Sequence, residues 1–124
     1  MKIKIVRWKK NNLRGTLYLG GEWFCETFEP CGQVPNGVYS IVKGAYLIDG
    51  HTRPMLKDVP TIGTASLQNG EKPLRSVGII GIGCYAGEGE DLVYGQPCFN
   101  ALCRLFEMQW SDGKEVEVEI KDEE

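Results

Sequence analysis

The sequence predicts a mainly β fold of the α+β type: a compact β-sheet or barrel-like fold of short strands with one late helix, over residues 97–108. Sixteen glycines and six prolines divide the 124 residues into short segments. Most segments alternate apolar and polar side chains with the period of two that is typical of strands. One segment has helical periodicity. The length fits a single domain, residues 1–124, whose acidic residues 121–124 are expected to form a disordered tail.

The first part of the chain is predicted to form three strands. Residues 2–8 alternate charged and apolar side chains, and residues 15–19 and 22–29 flank Gly20-Gly21, which suits a two-residue hairpin turn. Pro30 ends the third strand, since proline cannot donate to a sheet ladder.

The middle of the chain starts at residues 34–37, Val-Pro-Asn-Gly. These residues are predicted to form a turn, because proline pre-sets φ and glycine accepts positive φ. Five predicted strand segments follow this turn. They cover residues 38–42, 45–49, 55–59, 64–67 and 78–82. The last segment is apolar and rich in glycine, so we expect a central, closely packed strand.

The end of the chain predicts one helix and one strand. Pro97 suits the first turn of the helix. The apolar face of the helix consists of Phe99, Leu102, Leu105 and Phe106. Residues 115–120 alternate three glutamates with two valines and an isoleucine, which predicts a half-buried strand. We expect it near a sheet edge, where outward charges discourage pairing with other molecules.

The bulk composition excludes several function classes. A net charge of −3 argues against a general binder of nucleic acid, which would be basic. There is no apolar h-region of a signal peptide and no apolar run of the ~20 residues that a membrane span requires. An odd number of cysteines, five, fits a reducing compartment better than a disulfide framework. We therefore expect a cytoplasmic protein.

The cysteines, the single histidine and one acidic loop are candidates for chemistry. The cysteine spacings do not match the C-x₂₋₄-C pattern of zinc sites, so buried, inert cysteines are expected, with no metal and no cofactor. His51 lies in a polar turn and is expected at the surface. Glu88, Glu90 and Asp91 lie in a glycine-rich loop without the alternating oxygen ligands of a calcium loop, which favours a solvated loop.

Three segments carry motifs of a known family. Residues 15–29 (GTLYLGGEWFCETFE) form a hairpin ending in C-x-T-F-E, residues 34–39 (VPNGVY) resemble I-P-x-G-x-Y, and residues 54–60 (PMLKDVP) resemble L-P-x-L-x-D-V-P. The chain thus resembles, over most of its length, the bacterial and phage family known as domain of unknown function 5675. That family is itself distantly similar to L,D-transpeptidase-like domains, which cross-link peptidoglycan through a cysteine thioester.

The two reactive residues implied by this resemblance are missing here. Typical members carry I-H-x-G-N and then T-x-G-C-I-x-V-G, whereas residues 66–70 are SLQNG and residues 76–83 are SVGIIGIG. Leu67 therefore stands at the histidine position and Ile79 at the cysteine position. Because a nucleophile needs a thiolate and a base needs a titratable ring, no catalytic residue carries over. The resemblance implies a degenerate site, a candidate groove formed by Leu67, Asn69, Ser76, Gly78 and Ile79.

These observations favour a non-catalytic binding or accessory domain of phage or mobile-element type. Its expected ligand is a cell-wall peptide or glycan, bound in an apolar groove without turnover. One alternative is a cell-wall-acting cysteine enzyme with a relocated nucleophile, Cys84, for which His51 is a candidate base. Another alternative is a structural or interaction protein.

Overall fold

The computed structural model describes residues 1–48, 50–71, 76–85 and 92–124. Within these residues it contains nine strands and one helix, so the predicted mainly β fold with a late helix is confirmed. In chain order the elements are β1 (Lys2–Arg7), β2 (Arg14–Leu19), β3 (Glu22–Phe28), β4 (Gly37–Tyr46), β5 (Thr52–Val59), β6 (Gly63–Asn69), β7 (Ile79–Tyr85), β8 (Leu92–Val93), α1 (Gly95–Ser111) and β9 (Val116–Asp122).

Eight of these strands close into a barrel. Neighbouring strands follow the order β3-β2-β1-β9-β4-β5-β6-β7, and β3 then pairs with β7, with Thr27 opposite Ile82. The two-residue β8 pairs with β7 through Cys84 and Val93. Closure gives each of the eight strands two neighbours, which removes the open edges that would otherwise template association with another chain.

The strand β9 lies within the sheet, so the prediction of an edge strand at residues 115–120 is wrong. It runs parallel to β1, with Ile120 opposite Ile5, and antiparallel to β4, with Val118 opposite Tyr39. The predicted alternation is confirmed, since the valines and the isoleucine are buried and the glutamates between them are half-buried. The glutamates therefore form a charged, hydrated outer face on a central strand.

The acidic end of the chain is ordered beyond the predicted strand. β9 continues through Asp122. The backbone N–H of Glu123 donates a hydrogen bond to the carbonyl oxygen of Arg7 over 2.8 Å, and the Glu123 carboxylate accepts one from the backbone N–H of Lys9 over 2.9 Å. Residues 121–123, expected in a disordered tail, are thus attached to the barrel.

The barrel interior is filled by the inward side chains of alternating residues. The predicted central strand of the glycine-rich segment is β7, whose Ile80 and Ile82 are fully buried and which pairs with β6 and β3. Fully or almost fully buried aliphatic residues on the other strands include Ile3, Ile5, Leu17, Ile41, Leu56, Leu67, Val118 and Ile120. This continuous core explains how so short a chain holds eight closed strands.

The helix α1 packs against β5, β6, β7 and β9. Its buried face contains Phe99, Leu102, Cys103 and Phe106, so the predicted face is confirmed except that Cys103 is buried where Leu105 is half-buried. Pro97 lies in the first turn, as predicted, because the helix begins at Gly95. The helix therefore fixes its N-terminal turn beside the ends of β6 and β7.

A buried ion pair that the sequence did not reveal joins β1 to the segment after β3. Arg7 and Glu29 are 2% and 1% exposed, and the guanidinium donates to both carboxylate oxygens, over 2.9 and 3.0 Å. Arg7 also donates to the Asn36 side chain over 2.7 Å and to the Val34 carbonyl, while the Val34 N–H donates to Glu29 over 2.9 Å. Every strong polar group of the pair therefore has a partner.

Candidate ligand-binding cleft

The two positions at which the sequence resemblance implies a histidine and a cysteine lie on neighbouring parallel strands. Leu67 on β6 is opposite Ile80 on β7, and Ile79 is opposite Ser66. Because successive residues of a strand point to opposite faces, the side chains of Leu67 and Ile79 lie on opposite faces of the barrel wall. Leu67 is fully buried and Ile79 is half-buried. These two side chains therefore do not share one surface.

The other three predicted groove residues are also separated. Ser76 is exposed before β7, and Gly78 is buried with a φ of 86°. A β-carbon on Gly78 would lie 3.3 Å from the carbonyl oxygen of Thr64, so the glycine provides a close turn into β7. Asn69, at the end of β6, lies at an open cleft. Of the five predicted residues, Asn69 is the one that the structure places at this cleft.

We call this depression the Arg53 cleft. It has a volume of about 520 Å³, within the usual range for small-ligand sites. It lies between the end of β4, the start of β5, the end of β6 and the first turn of α1. Its lining residues are Tyr46, Leu47, Ile48, Arg53, Gln68, Asn69, Gln96 and Phe99.

Side-chain amides form one wall of the Arg53 cleft and are held in place by hydrogen bonds. Asn69 Nδ2 donates to Gln96 Oε1 over 3.0 Å, and Gln96 Nε2 donates to Asn100 Oδ1 over 2.7 Å. Gln68 Nε2 donates to Ser66 Oγ over 3.0 Å. These bonds orient three amides before any ligand arrives, which lowers the entropic cost of recognition.

The described lining of the cleft also has an apolar, exposed wall. Tyr46 is 83% exposed and Ile48 is fully exposed, at the end of the β4–β5 hairpin. Aromatic and aliphatic side chains that remain open to solvent beside a polar wall are typical of binding surfaces. A tyrosine ring can stack on a sugar or contact an apolar peptide side chain.

The only charged residue among the described lining residues is Arg53. Its Nε atom is buried and has no hydrogen-bond partner among the residues that the structure describes. Within the same residues, Arg53 forms no ion pair. Arg53 is not among the predicted site residues, because the predicted strand starts at residue 55 and leaves Arg53 in a polar turn. No local pattern marks it, since its neighbours in the cleft come from other elements.

A second depression, of about 600 Å³, lies beside β4 and the C-terminal end of α1. Its lining includes Tyr39, Lys57, Asp58, Trp110 and Glu115. Charges of both signs are present there, and the Trp110 Nε1 already donates to a backbone carbonyl over 3.3 Å. It is larger than the Arg53 cleft, but it contains no buried polar atom that lacks a partner among the described residues. We therefore consider the Arg53 cleft the better candidate.

The relocated nucleophile that the sequence suggested, Cys84, lies in a cluster of thiols and a carboxylate. Its Sγ is 3.8 Å from that of Cys98 on α1. Burial, followed by the neighbouring Cys98 and Glu26, raises the pKa of Cys84 to about 12. Burial likewise raises the pKa of Cys25 and that of Glu26. Since a nucleophilic cysteine needs a lowered pKa, this environment disfavours thiolate chemistry.

The histidine that could serve as a base interacts elsewhere. His51 Nδ1 is 2.8 Å from Glu107 Oε1 on α1. The cysteines were predicted to be buried, and Cys25 and Cys103 are buried, whereas Cys31 is exposed. The acidic loop with Glu88, Glu90 and Asp91 lies outside the described residues.

In the part of the chain that the structure describes, no three histidine, cysteine or acidic side chains converge in a way that could hold a metal ion. The helix of the same part, α1, has 17 residues, and none of the described residues form a helix that is long and apolar enough to cross a membrane.

Comparison of the chain with protein-family models, with curated proteins and with solved structures finds no significant match. The resemblance to the family of unknown function therefore stays a prediction, and the geometry of the Arg53 cleft is the basis for proposing a function.

Proposed function

We propose that this protein is a non-catalytic binding domain whose Arg53 cleft takes a cell-wall peptide or glycan. The observation that carries the proposal is the pairing of an oriented amide wall, Asn69 and Gln96, with an exposed apolar wall, Tyr46 and Ile48. Amides hydrogen-bond to sugar hydroxyls and peptide groups, and the apolar wall contacts the ring faces or side chains of the same ligand.

The absence of turnover in this proposal is supported by the chemistry of the candidate nucleophile. At neutral pH a thiol with a pKa of about 12 is almost entirely protonated, so Cys84 contributes little nucleophile. The site positions taken by Leu67 and Ile79 supply neither a thiolate nor a base. The proposal therefore assigns binding without chemistry.

The test is incubation of the pure protein with purified peptidoglycan, scoring co-sedimentation and released fragments in the same sample. We expect co-sedimentation without fragments. Tyr46→Ala should weaken binding, because it removes most of the exposed aromatic surface at the cleft. Val38→Ala is the matched control, since Val38 is 54% exposed beside the other depression.

Each other outcome has a distinct meaning. Fragments that disappear in Cys84→Ala would replace the proposal with the cysteine enzyme. Equal binding by the Tyr46 variant, the Val38 variant and the unchanged protein would place the wall-binding surface outside the Arg53 cleft. A protein that neither sediments nor cleaves would refute the wall-binding proposal and direct the search to protein partners.

A further inference from the structure

Arg53 is half-buried, and its guanidinium has no charged partner among the residues that the structure describes. Its Nε is buried without a hydrogen-bond partner among the described residues, and it makes no ion pair there. The contrast with Arg7 is direct, since the Arg7 guanidinium donates to a carboxylate, an amide and a carbonyl. Because a buried unsatisfied donor is costly, the lack of a described partner at Arg53 Nε calls for a physical explanation.

Among the described lining residues of the Arg53 cleft, no other side chain carries a charge that would neutralise Arg53. The other lining residues are amides, apolar side chains and one tyrosine, all uncharged at neutral pH. Arg53 is therefore the one cation in the described lining, within a protein whose net charge is −3. A single cation without a described partner, among described lining residues that are otherwise uncharged, is complementary to a ligand with a single negative charge.

The shape of the cationic group narrows the ligand class. A guanidinium presents its donors in a planar fork that matches the two oxygens of a carboxylate. Gln68 lines the same cleft, and continuing the pairing of Met55 with Ser66 by two residues places Gln68 opposite Arg53. An amide beside a guanidinium can donate to the peptide group that precedes a terminal carboxylate, while Ile48 contacts the side chain.

We propose that the Arg53 cleft binds peptides through a free terminal carboxylate, with Arg53 as the carboxylate-binding residue. This inference rests on the proposed function and names the ligand class of the same site. An acidic sugar would present the same carboxylate, but the exposed apolar wall formed by Tyr46 and Ile48 favours a peptide whose side chains pack on it.

The test is a calorimetric or NMR titration of the full chain with diacetyl-Lys-D-Ala-D-Ala and with the same peptide as its C-terminal amide. We expect the acid to bind about tenfold or more tightly than the amide, since a hydrogen-bonded charge pair is lost in the amide. Arg53→Gln should abolish the difference between the two peptides, and Arg53→Lys should retain part of it. Arg104→Gln removes one positive charge from an exposed position on α1 and should leave the difference unchanged.

Three results would overturn the inference. These are equal affinity for acid and amide, an undiminished difference in Arg53→Gln, or binding of N-acetylmuramic acid in preference to the peptide acid. If Arg53→Gln fails to fold, the affinities of the two peptides for the unchanged protein and for Arg53→Lys still test whether Arg53 binds the carboxylate. When peptidoglycan sediments the protein but acid and amide bind equally, the carboxylate inference alone fails. When neither peptidoglycan nor either peptide binds, the proposed function itself fails.

Discussion

Removing the carboxylate of Glu29 should destabilise the protein more than almost any other single change. In Glu29→Ala, Arg7 would stay buried with only the Asn36 side chain and the Val34 carbonyl as acceptors. The Val34 N–H would lose its acceptor as well. The change therefore leaves a buried charge without its counter-charge and a buried donor without a partner.

The expected cost follows from the burial of the pair. Breaking a buried ion pair on one side costs about 3–5 kcal/mol, because the remaining charge is uncompensated. Small domains unfold with only about 5–15 kcal/mol, so this loss is a large share of the total. For 124 residues the unfolding entropy near the midpoint is about 0.26 kcal/mol/K, and a loss of about 4 kcal/mol lowers Tm by about 15 °C.

The assay is urea unfolding followed by circular dichroism, with thermal unfolding as a second measure. Glu29→Ala should lower the urea midpoint at an unchanged m value. The double variant Arg7→Met with Glu29→Leu removes both charges and should cost less than the single variant, about 1–3 kcal/mol, from the backbone groups of Val34 left unpaired. Glu119→Ala is the control, since its pair with Lys4 is 4.0 Å long and both side chains are partly exposed. A loss below about 1 kcal/mol for Glu29→Ala, comparable to that of an exposed pair, would refute the reasoning.

Three further results are expected. Leu67→His should lower the free energy of unfolding by about 2–4 kcal/mol because it buries a polar ring in the core, whereas Ile79→Cys should lower it by less than about 1.5 kcal/mol. Denaturant midpoints that fall equally in the two variants would contradict the assignment of the two side chains to opposite faces. Alkylation at pH 8, followed by mass spectrometry, should label the exposed Cys31 first and Cys84 slowly. The labelling rate of Cys84 should rise as the pH approaches about 12, because the raised pKa keeps its thiol protonated below that value. Rapid labelling of Cys84 at pH 8 would revive the enzyme alternative. Gly15→Ala should destabilise by about 1–3 kcal/mol, since its β-carbon would lie 2.9 Å from a backbone carbonyl oxygen of β1, and an unchanged melting temperature would argue against this close approach.

The local elements of the fold were predictable, whereas interruptions within strands were not. The predicted strands end at residue 42 and resume at residue 45, but β4 is continuous to Tyr46. A β-carbon on Gly44 would lie 2.6 Å from the Met55 side chain and 2.7 Å from the Arg53 carbonyl oxygen, so the glycine permits close packing between strands. The next predicted strand starts at residue 55, yet β5 begins at Thr52 and pairs Pro54 with Lys43. In both cases a neighbouring strand outweighed the local signal.

The candidate site depended even more on tertiary structure. Asn69 was predicted from a family motif, and its contact with Gln96 joins β6 to α1 across 27 positions of the chain. Arg53 could not be singled out because what distinguishes it is the absence of a described partner, and partners are set by the closed barrel. The groove proposed at Leu67 and Ile79 was inferred from two motifs without the strand register, which decides the face that each side chain takes.

The parallel pairing of β1 with β9 has a consequence for how the barrel assembles. β9 follows all other described strands in the chain and inserts between β1 and β4. Until it arrives, both of these strands present an unpaired edge, so the growing polypeptide passes through an open sheet that can associate with other chains. Closure joins the two most distant parts of the sequence, which makes the last step slow and sensitive to truncation. We therefore expect a chain that stops before residue 116 to accumulate as aggregates instead of as a smaller folded barrel.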